Sequence, residues 1–176
     1  MKETEPPHPI TPYAIAKFTV ENYLRFFYET YNLPYVILRY ATVYGPKQNI
    51  GAMADYIHKL SMGKQAEIYG DGAMTRDYLY IDDVVRVNLL ALKVPTNYPN
   101  PVFNVGTGIE TTLNDLYKKI VQLLNKKANP IYLPERPAEQ KRYSLDYSKI
   151  KKVLGWKPKY SLEKGLKLRL KTEGLI

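Results

Sequence analysis

The sequence contains no cysteine and only two histidines, His8 and His58. Without cysteine the chain can form no disulfide, no thiolate zinc site and no cysteine nucleophile. Two isolated histidines cannot make a three-histidine metal site, and they form no obvious Ser-His-Asp set. Much metal and hydrolytic chemistry is thereby excluded, and we expect no metal site.

Long hydrophobic runs are also missing, since none approaches the ~20 residues that a membrane-spanning helix needs. The first ten residues, MKETEPPHPI, are acidic and proline-rich, unlike the basic and then apolar start of a signal peptide. The composition, with 45% hydrophobic and 24% charged residues, is ordinary for a globular protein. These features predict a soluble cytoplasmic protein with no membrane partner.

Glycine is not clustered as a dinucleotide-binding unit requires, because no G-x-G-x-x-G string occurs. The strings YGDG and GTG are two separate turns. Elsewhere predicted strands alternate with predicted helices, which indicates an α/β fold. The sequence therefore predicts α/β architecture without a phosphate-binding first half.

Positive charge is concentrated near the C-terminus. Residues 117–176 carry 16 basic and 5 acidic groups, whereas residues 1–116 carry 10 basic and 12 acidic groups. Such a surface can bind an anionic ligand or nucleic acid, but no nucleic-acid motif accompanies the charge. We interpret it as a solvated lysine-rich surface with no nucleic-acid partner, and salt-dependent binding to random DNA would favour the alternative.

The patterns of apolar residues predict the main elements. Thr11 and Pro12 favour the start of a helix with an apolar stripe through Ile15, Val20, Leu24 and Phe27. The run YVILRYATVYG is typical of one continuous strand buried on both faces. Further strands are predicted in AEIYG, RDYLYI, VFNVG and PIYLP, and further helices in AMADYIHKLSMG, from Asp82 or Asp83 to about Lys93, in TTLNDLYKKIVQLLN and on both sides of GWKP.

The stretch PITPYAIAK places Tyr13 four residues before Lys17 at the start of the first predicted helix. Residues i and i+4 share a helix face, so Lys17 can lie beside Tyr13 and also reach a ligand hydroxyl. A tyrosine acts as acid or base near neutral pH only if its pKa of ~10 is lowered, which a nearby cation does. Spacing alone does not identify a catalytic pair, since it recurs at Tyr147 and at Tyr160.

Five strings, in order and spacing, resemble the extended short-chain dehydrogenase/reductases: TPYAIAK, LRYATVYGPKQN, IYGDGAMTRDYLYIDDVV, FNVGTGIETTLNDL and ERPAEQKRYSLDYSKIKKVLGWKP. The similarity covers essentially the whole chain and is greatest to the UDP-glucose 4-epimerases, followed by the dTDP-glucose 4,6-dehydratases. It implies the C-terminal part of a Rossmann-like NAD(P)-binding fold plus the small substrate-binding domain, with the glycine-rich first half absent. Residues 1–50 would be a remnant of the Rossmann-like domain. Residues 51–176 would mainly form the sugar-nucleotide-binding domain, with elements near 77–106 returning to the Rossmann sheet.

The resemblance also implies the catalytic roles. In the family a tyrosine takes the proton from the sugar 4-hydroxyl while hydride passes to NAD, and an epimerase returns the hydride to the opposite face of the 4-keto intermediate. Tyr13 would be this general base and acid, and Lys17 would bind the nicotinamide ribose and lower the pKa of Tyr13. The backbone of Tyr40 would lie against the nicotinamide carboxamide, so Tyr13, Lys17 and Tyr40 are the predicted cofactor-binding residues.

A substrate site follows from the same resemblance. Arg76 would pair with the diphosphate, and Arg136 would be a second contact to the diphosphate or to the ribose. Tyr69 would line the uracil pocket, and backbone N–H groups at the start of a helix would bind phosphate. The predicted substrate-binding residues are Thr42, Ala52, Met53, Tyr69, Arg76, Arg136 and Glu139. The residues themselves leave open that the arginines form surface ion pairs and that Tyr40 and Tyr69 are strand core.

Three positions depart from the family pattern: Thr42 replaces an asparagine, and Ala138 with Glu139 replaces Gly-Asp. Thr42 can still donate a hydrogen bond and Glu139 keeps its charge on a longer arm, whereas alanine loses access to positive φ. We therefore expect the fold to persist while individual contacts to the nucleotide change.

Because the glycine-rich turn is absent, we expect this chain alone not to bind NAD tightly and to be inactive in isolation. Activity would need the first half, from a separate polypeptide or a longer parent. The alternatives are a dTDP-glucose 4,6-dehydratase-like protein and a non-catalytic sugar-nucleotide-binding remnant. An exposed strand edge and the apolar helix over residues 13–31, which in the family lies at a homodimer interface, predict a homodimer or higher oligomer.

Overall fold

The structure is a computed structural model that describes residues 1–99, 101–136 and 140–176. The helices within these ranges are α1 (Pro12–Tyr31), α2 (Ala52–Ser61), α3 (Ile81–Ala91), α4 (Leu113–Leu123), α5 (Ser148–Leu154) and α6 (Leu162–Thr172). The strands are β1 (Ile37–Tyr40), β2 (Thr42–Tyr44), β3 (Glu67–Tyr69), β4 (Thr75–Arg76), β5 (Tyr78–Tyr80), β6 (Val102–Val105), β7 (Thr111–Thr112) and β8 (Ile131–Leu133). Among the described residues, no helix has the length and apolar character needed to cross a membrane.

Helix α1 begins where the sequence predicts, because the Thr11 hydroxyl accepts a hydrogen bond from the Ala14 N–H at 3.2 Å. Its apolar stripe is largely exposed, and only Leu24 of the four predicted residues is half-buried. On the side that faces the sheet, Glu21 accepts two hydrogen bonds from the Arg39 guanidinium, at 2.6 and 2.8 Å. An ion pair thus anchors the helix to β1.

The run YVILRYATVYG forms two strands, not the single strand that its composition predicts. β1 pairs in parallel with β6, and β2 pairs in parallel with β5. The break falls at Ala41, because its N–H donates to Val105 while the next N–H, of Thr42, donates to Asp77. The prediction that both faces are buried is also wrong for β1. Its four residues are all half-buried, because within the described chain only β6 pairs with it.

The remaining strands form two more pairs. β3 lies parallel to β8, and β4 lies antiparallel to β7, a strand that the sequence does not predict. Two residues are too few for a periodic signal, so β7 is visible only through its partner. The predicted buried strand VFNVG is confirmed as β6, all four of whose residues are buried.

Two groups of buried side chains form the interior. One joins α2, α4 and α6 and includes Tyr56, Leu116 and Leu166. The other lies around β5, β6 and α5 and includes Phe103 and Trp156. The division of the chain at residue 50 stays a prediction.

A buried carboxylate, that of Asp77, organises the region between β4 and β5. It accepts hydrogen bonds from the N–H groups of Thr107, Gly108 and Leu145 and from the Thr107 hydroxyl, over 2.6–3.2 Å. Only glycine fits at position 106, where a Cβ atom would lie 2.5 Å from this carboxylate. Asp77 thereby fixes the segment around Leu145 next to β4, the strand that carries Arg76.

Candidate active site

A cleft of about 1010 Å³ opens between β2, β3, β4 and the start of α2. Its lining includes six of the predicted substrate-binding residues: Thr42, Ala52, Met53, Tyr69, Arg76 and Arg136. The seventh, Glu139, lies outside the described residues. Residues from three of the five motif strings and from the start of α2 thus meet in one cavity.

Arg76 is half-buried on the wall of this cleft. Its Nη1 donates to the carbonyl oxygens of Thr75 at 2.7 Å and of Gln140 at 2.8 Å. These two bonds fix the guanidinium between β4 and the backbone of Gln140. Across the described ranges Arg76 has no carboxylate partner, so its positive charge is not neutralised by an ion pair.

The Arg136 guanidinium lies over the Tyr69 ring, with its central carbon 3.6 Å from the ring centroid. Tyr69 is the last residue of β3 and is half-buried, so it is not a strand-core residue. A cation over an aromatic face is attracted by the negative charge density of the ring. The pair presents a flat, positively charged surface at the cleft, suited to a base or an anionic group.

The start of α2 faces the same cleft. Gly51, with a φ of +85°, precedes the helix, and no side chain caps the helix N-terminus. The first N–H groups of a helix have no partner within it and carry partial positive charge. Ala52 and Met53 therefore provide backbone donors suited to a phosphate.

Tyr40 lies outside the cleft lining. Its hydroxyl donates to the Asn88 side chain at 3.1 Å, and its carbonyl oxygen accepts from the Tyr143 hydroxyl at 3.2 Å. Burial and the nearby Asp77 raise the pKa of Tyr143, and Tyr13 contributes to the same shift. Tyr143, which the sequence analysis does not single out, thus holds the Tyr40 backbone, which the resemblance places against the nicotinamide carboxamide.

Tyr13 and Lys17 lie on the first turns of α1 and do not line the cleft. The Tyr13 side chain is 73% exposed, and the Lys17 amine lies 5.6 Å from the centroid of its ring. The pair is therefore adjacent, as the spacing predicts, and open to a ligand. The described chain does not bring it into contact with the predicted substrate residues.

Further residues of the cleft escape the sequence analysis. Lys47, Gln48 and Glu173 line it together with Arg169, which is 2% exposed. The interpretation of the C-terminal third as solvated surface is therefore wrong for Arg169, because this side chain turns inward to partners in the loop after β2. In the described ranges no group of three or more histidine, aspartate or glutamate residues is placed to hold a metal ion.

Comparisons with known proteins give the same family that the motifs indicate. The model of the family described as GDP-mannose 4,6 dehydratase matches residues 1–168. The chain is 34% identical over 168 residues to the UDP-glucose 4-epimerase of Mycolicibacterium smegmatis, covering 93% of this chain and 53% of that protein. It is 35% identical over 185 residues to the dTDP-glucose 4,6-dehydratase of Haemophilus influenzae, covering 96% and 53% respectively.

Two solved structures of epimerases are closely similar in fold to this chain. A UDP-glucose 4-epimerase of Thermotoga maritima, solved with UDP-glucose, has a TM-score of 0.92 and 45% identity, covering 100% of this chain and 58% of that one. A UDP-glucuronic acid 4-epimerase of Bacillus cereus, solved with its UDP-sugar and NAD, has a TM-score of 0.91 and 32% identity, covering 99% and 56%.

The fold class is thus an α/β fold that corresponds to the C-terminal part of these epimerase and dehydratase structures. The chain belongs to the NAD-dependent sugar-nucleotide epimerases and dehydratases of the extended short-chain dehydrogenase/reductase family. It spans about half the length of the curated relatives that it matches.

Proposed function

We propose that this chain provides the catalytic helix and the sugar-nucleotide site of a UDP-glucose 4-epimerase-like enzyme, which inverts C4 of a UDP-hexose. The observation that carries the proposal is the cleft, which is lined by six residues that the sequence motifs assign to substrate. Support also comes from the Thermotoga maritima relative, which was solved with UDP-glucose.

The cleft offers groups that match the parts of a UDP-sugar. Arg76, held by two carbonyl oxygens and without a carboxylate partner in the described chain, would bind the diphosphate together with the N–H groups of Ala52 and Met53. Arg136 and the Tyr69 ring beneath it would bind the uridine end. Thr42 would donate a hydrogen bond near the sugar.

Tyr13 would exchange the proton of the sugar 4-hydroxyl, and Lys17 would stabilise the phenolate from the same helix face. Their exposure leaves room for a nicotinamide, and the Tyr40 backbone is the third expected contact. NAD, when bound, supplies the hydride acceptor at C4. These residues fit only the nicotinamide end, because the 176 residues contain no glycine-rich turn for the dinucleotide phosphates.

We therefore infer that the chain alone does not turn over substrate, and that it works with a first half supplied in the same or another polypeptide. A homodimer or higher oligomer formed through α1 and the free edge of β1 is part of the proposal. So is a cytoplasmic location.

A dehydratase-like function remains the alternative, favoured by the identity to the Haemophilus influenzae dehydratase. Calorimetric titration of the purified chain with UDP-glucose, dTDP-glucose and GDP-mannose separates the two. We expect UDP-glucose to bind most tightly. Tightest binding of dTDP-glucose would favour the dehydratase class, and no binding of any of the three by the folded chain would refute a sugar-nucleotide site.

A further inference from the structure

Arg169 is a buried cation on a helix whose other basic side chains are exposed, and its side chain reaches the loop after β2. Its Nη2 donates to the Gln48 carbonyl oxygen at 2.7 Å, and its Nη1 to the Gln48 side-chain oxygen at 3.1 Å. Its Nε donates to a Glu173 carboxylate oxygen at 3.0 Å. Three donors of one planar group are therefore used, which a lysine could not reproduce.

The same carboxylate oxygen of Glu173 accepts the Lys47 N–H at 3.0 Å. Lys47 has a φ of +63°, a left-handed conformation that costs free energy for a residue other than glycine. Such a conformation persists when surrounding contacts hold it. Here the contacts come from α6, at the far end of the chain.

The clamped residues lead directly into the ligand site. Gln48 also donates from its side-chain nitrogen to the Ile50 carbonyl oxygen at 3.1 Å, and Gly51 and α2 follow at once. Lys47, Gln48 and Gly51 all line the cleft. The position of Lys47, Gln48 and Gly51 at the cleft therefore depends on the Arg169 guanidinium, which also lines the cleft.

We infer that Arg169 is a positioning residue for sugar-nucleotide binding, which holds the loop over residues 47–50 in its binding conformation before the ligand arrives. The inference rests on the proposed function of the cleft. A loop that is fixed in advance loses less conformational entropy on binding, so removing the clamp weakens affinity by freeing the loop.

The test compares Arg169→Met with Lys167→Met. Both variants remove one positive charge from α6. Within the described part of the chain, however, Lys167 pairs only with the exposed Glu163, at 2.6 Å, and it does not line the cleft. We expect the dissociation constant for UDP-glucose to rise about tenfold in Arg169→Met, because the ligand must then order the released loop when it binds. Lys167→Met should bind like the unmodified chain.

Hydrogen exchange of the Lys47 amide gives a second measurement. A general loss of stability would speed exchange throughout the chain and not at this amide in particular. We expect this amide to exchange faster in Arg169→Met, while amides of the interior of α4 keep their protection. Equal affinity in Arg169→Met and Lys167→Met would overturn the inference, and so would a lower melting temperature of Arg169→Met with an unchanged dissociation constant.

Glu173→Ala provides a second test of the inference in case Arg169→Met does not fold. Glu173 is partly exposed, and its loss releases both the Lys47 N–H and one Arg169 bond. Unchanged affinity in Glu173→Ala would overturn the inference on its own. If the unmodified chain binds no UDP-glucose, the proposed function fails together with the inference; if it binds and the variants bind equally well, only the inference fails.

Discussion

At the scale of single residues, the stack of Arg136 on Tyr69 is the most specific feature of the cleft. It brings a cation and an aromatic face together at 3.6 Å, although the two residues belong to separate motifs. Neither residue is needed for the interior packing, since Tyr69 is half-buried and Arg136 is exposed. We therefore interpret the pair as a ligand contact of the proposed UDP-sugar site.

Replacement of Tyr69 tests this interpretation. We expect Tyr69→Leu to weaken UDP-glucose binding about fivefold, because the ring supports the Arg136 guanidinium by roughly 1 kcal/mol. Tyr69→Phe keeps the aromatic face and should bind normally. Tyr132→Leu is the matched control, because Tyr132 is 55% exposed on the neighbouring β8 and does not line the cleft. Calorimetry that gives Tyr69→Leu full affinity would contradict the interpretation.

The residues that sequence motifs predict and those they miss differ in a physical way. Arg76, Arg136 and Tyr69 stand in strings whose order and spacing identify them. Arg169 instead lies in a lysine-rich helix, and its partner Gln48 is 121 residues away in sequence. No local pattern separates a buried arginine from its exposed neighbours when the burial is caused by so distant a loop.

At the scale of elements, α1 matters because its first turn carries Tyr13. The helix is anchored by the Thr11 cap and by the ion pair between Glu21 and Arg39, and none of its residues is buried. A helix with so little buried surface depends on its caps and surface pairs. The position of Tyr13 is therefore sensitive to the cap.

We expect Thr11→Ala to lower the free energy of unfolding by about 1 kcal/mol, because it leaves a first-turn N–H without its acceptor. Chemical denaturation followed by circular dichroism measures the change. Thr19→Ala is the control, since the Thr19 hydroxyl bonds to the Ile15 carbonyl in mid-helix, where alanine is favoured. An equal loss in both variants would show that the cap contributes nothing specific.

Elements differ in how far the sequence predicts them. The start of α1 is predicted well, because a hydroxyl cap followed by 3.6-residue periodicity is a local signal, as at Thr11. The break at Ala41 is not, since it arises from a change of partner strand, from β6 to β5. Pairing is a property of the assembled sheet and leaves no mark on an apolar run.

At the scale of the whole molecule, buried tyrosines couple stability to alkaline pH. Burial raises the pKa of Tyr78 to about 12, and it also raises the pKa values of Tyr44 and Tyr56. Unfolded tyrosine ionises near pH ~10, so this stabilisation is complete below pH ~10 and is lost as the pH rises through the folded pKa.

The difference at Tyr78 alone corresponds to ~3 kcal/mol of unfolding free energy. We therefore expect the chain to unfold cooperatively between pH ~10 and ~12, with the absorbance of tyrosinate rising in the same transition as helix content falls. Tyr78→Phe should lose less stability over this range. Tyrosinate absorbance that rises well before unfolding would contradict the burial argument.

We propose that the exposed face of α1 mediates association. Phe26, Phe27 and Tyr31 contact one another at ring distances of 5.6–6.1 Å while remaining 41–67% exposed. A contiguous apolar patch of this kind favours association. We expect sedimentation to detect dimers or larger species and Phe26→Lys to shift the chain toward monomer. Leu92→Lys, at a position 84% exposed outside this face, should not, and a monomeric unmodified chain would contradict the prediction.

Calorimetric titration of the folded chain with UDP-glucose, with and without NAD, measures whether the cleft binds a UDP-sugar. We predict saturable binding at one site per chain in both titrations, with NAD adding little because the dinucleotide phosphates have no glycine-rich turn here. Binding strengthened by NAD would show a composite site and call for turnover assays with Tyr13→Phe. No saturable heat in either titration of a folded sample would contradict the account.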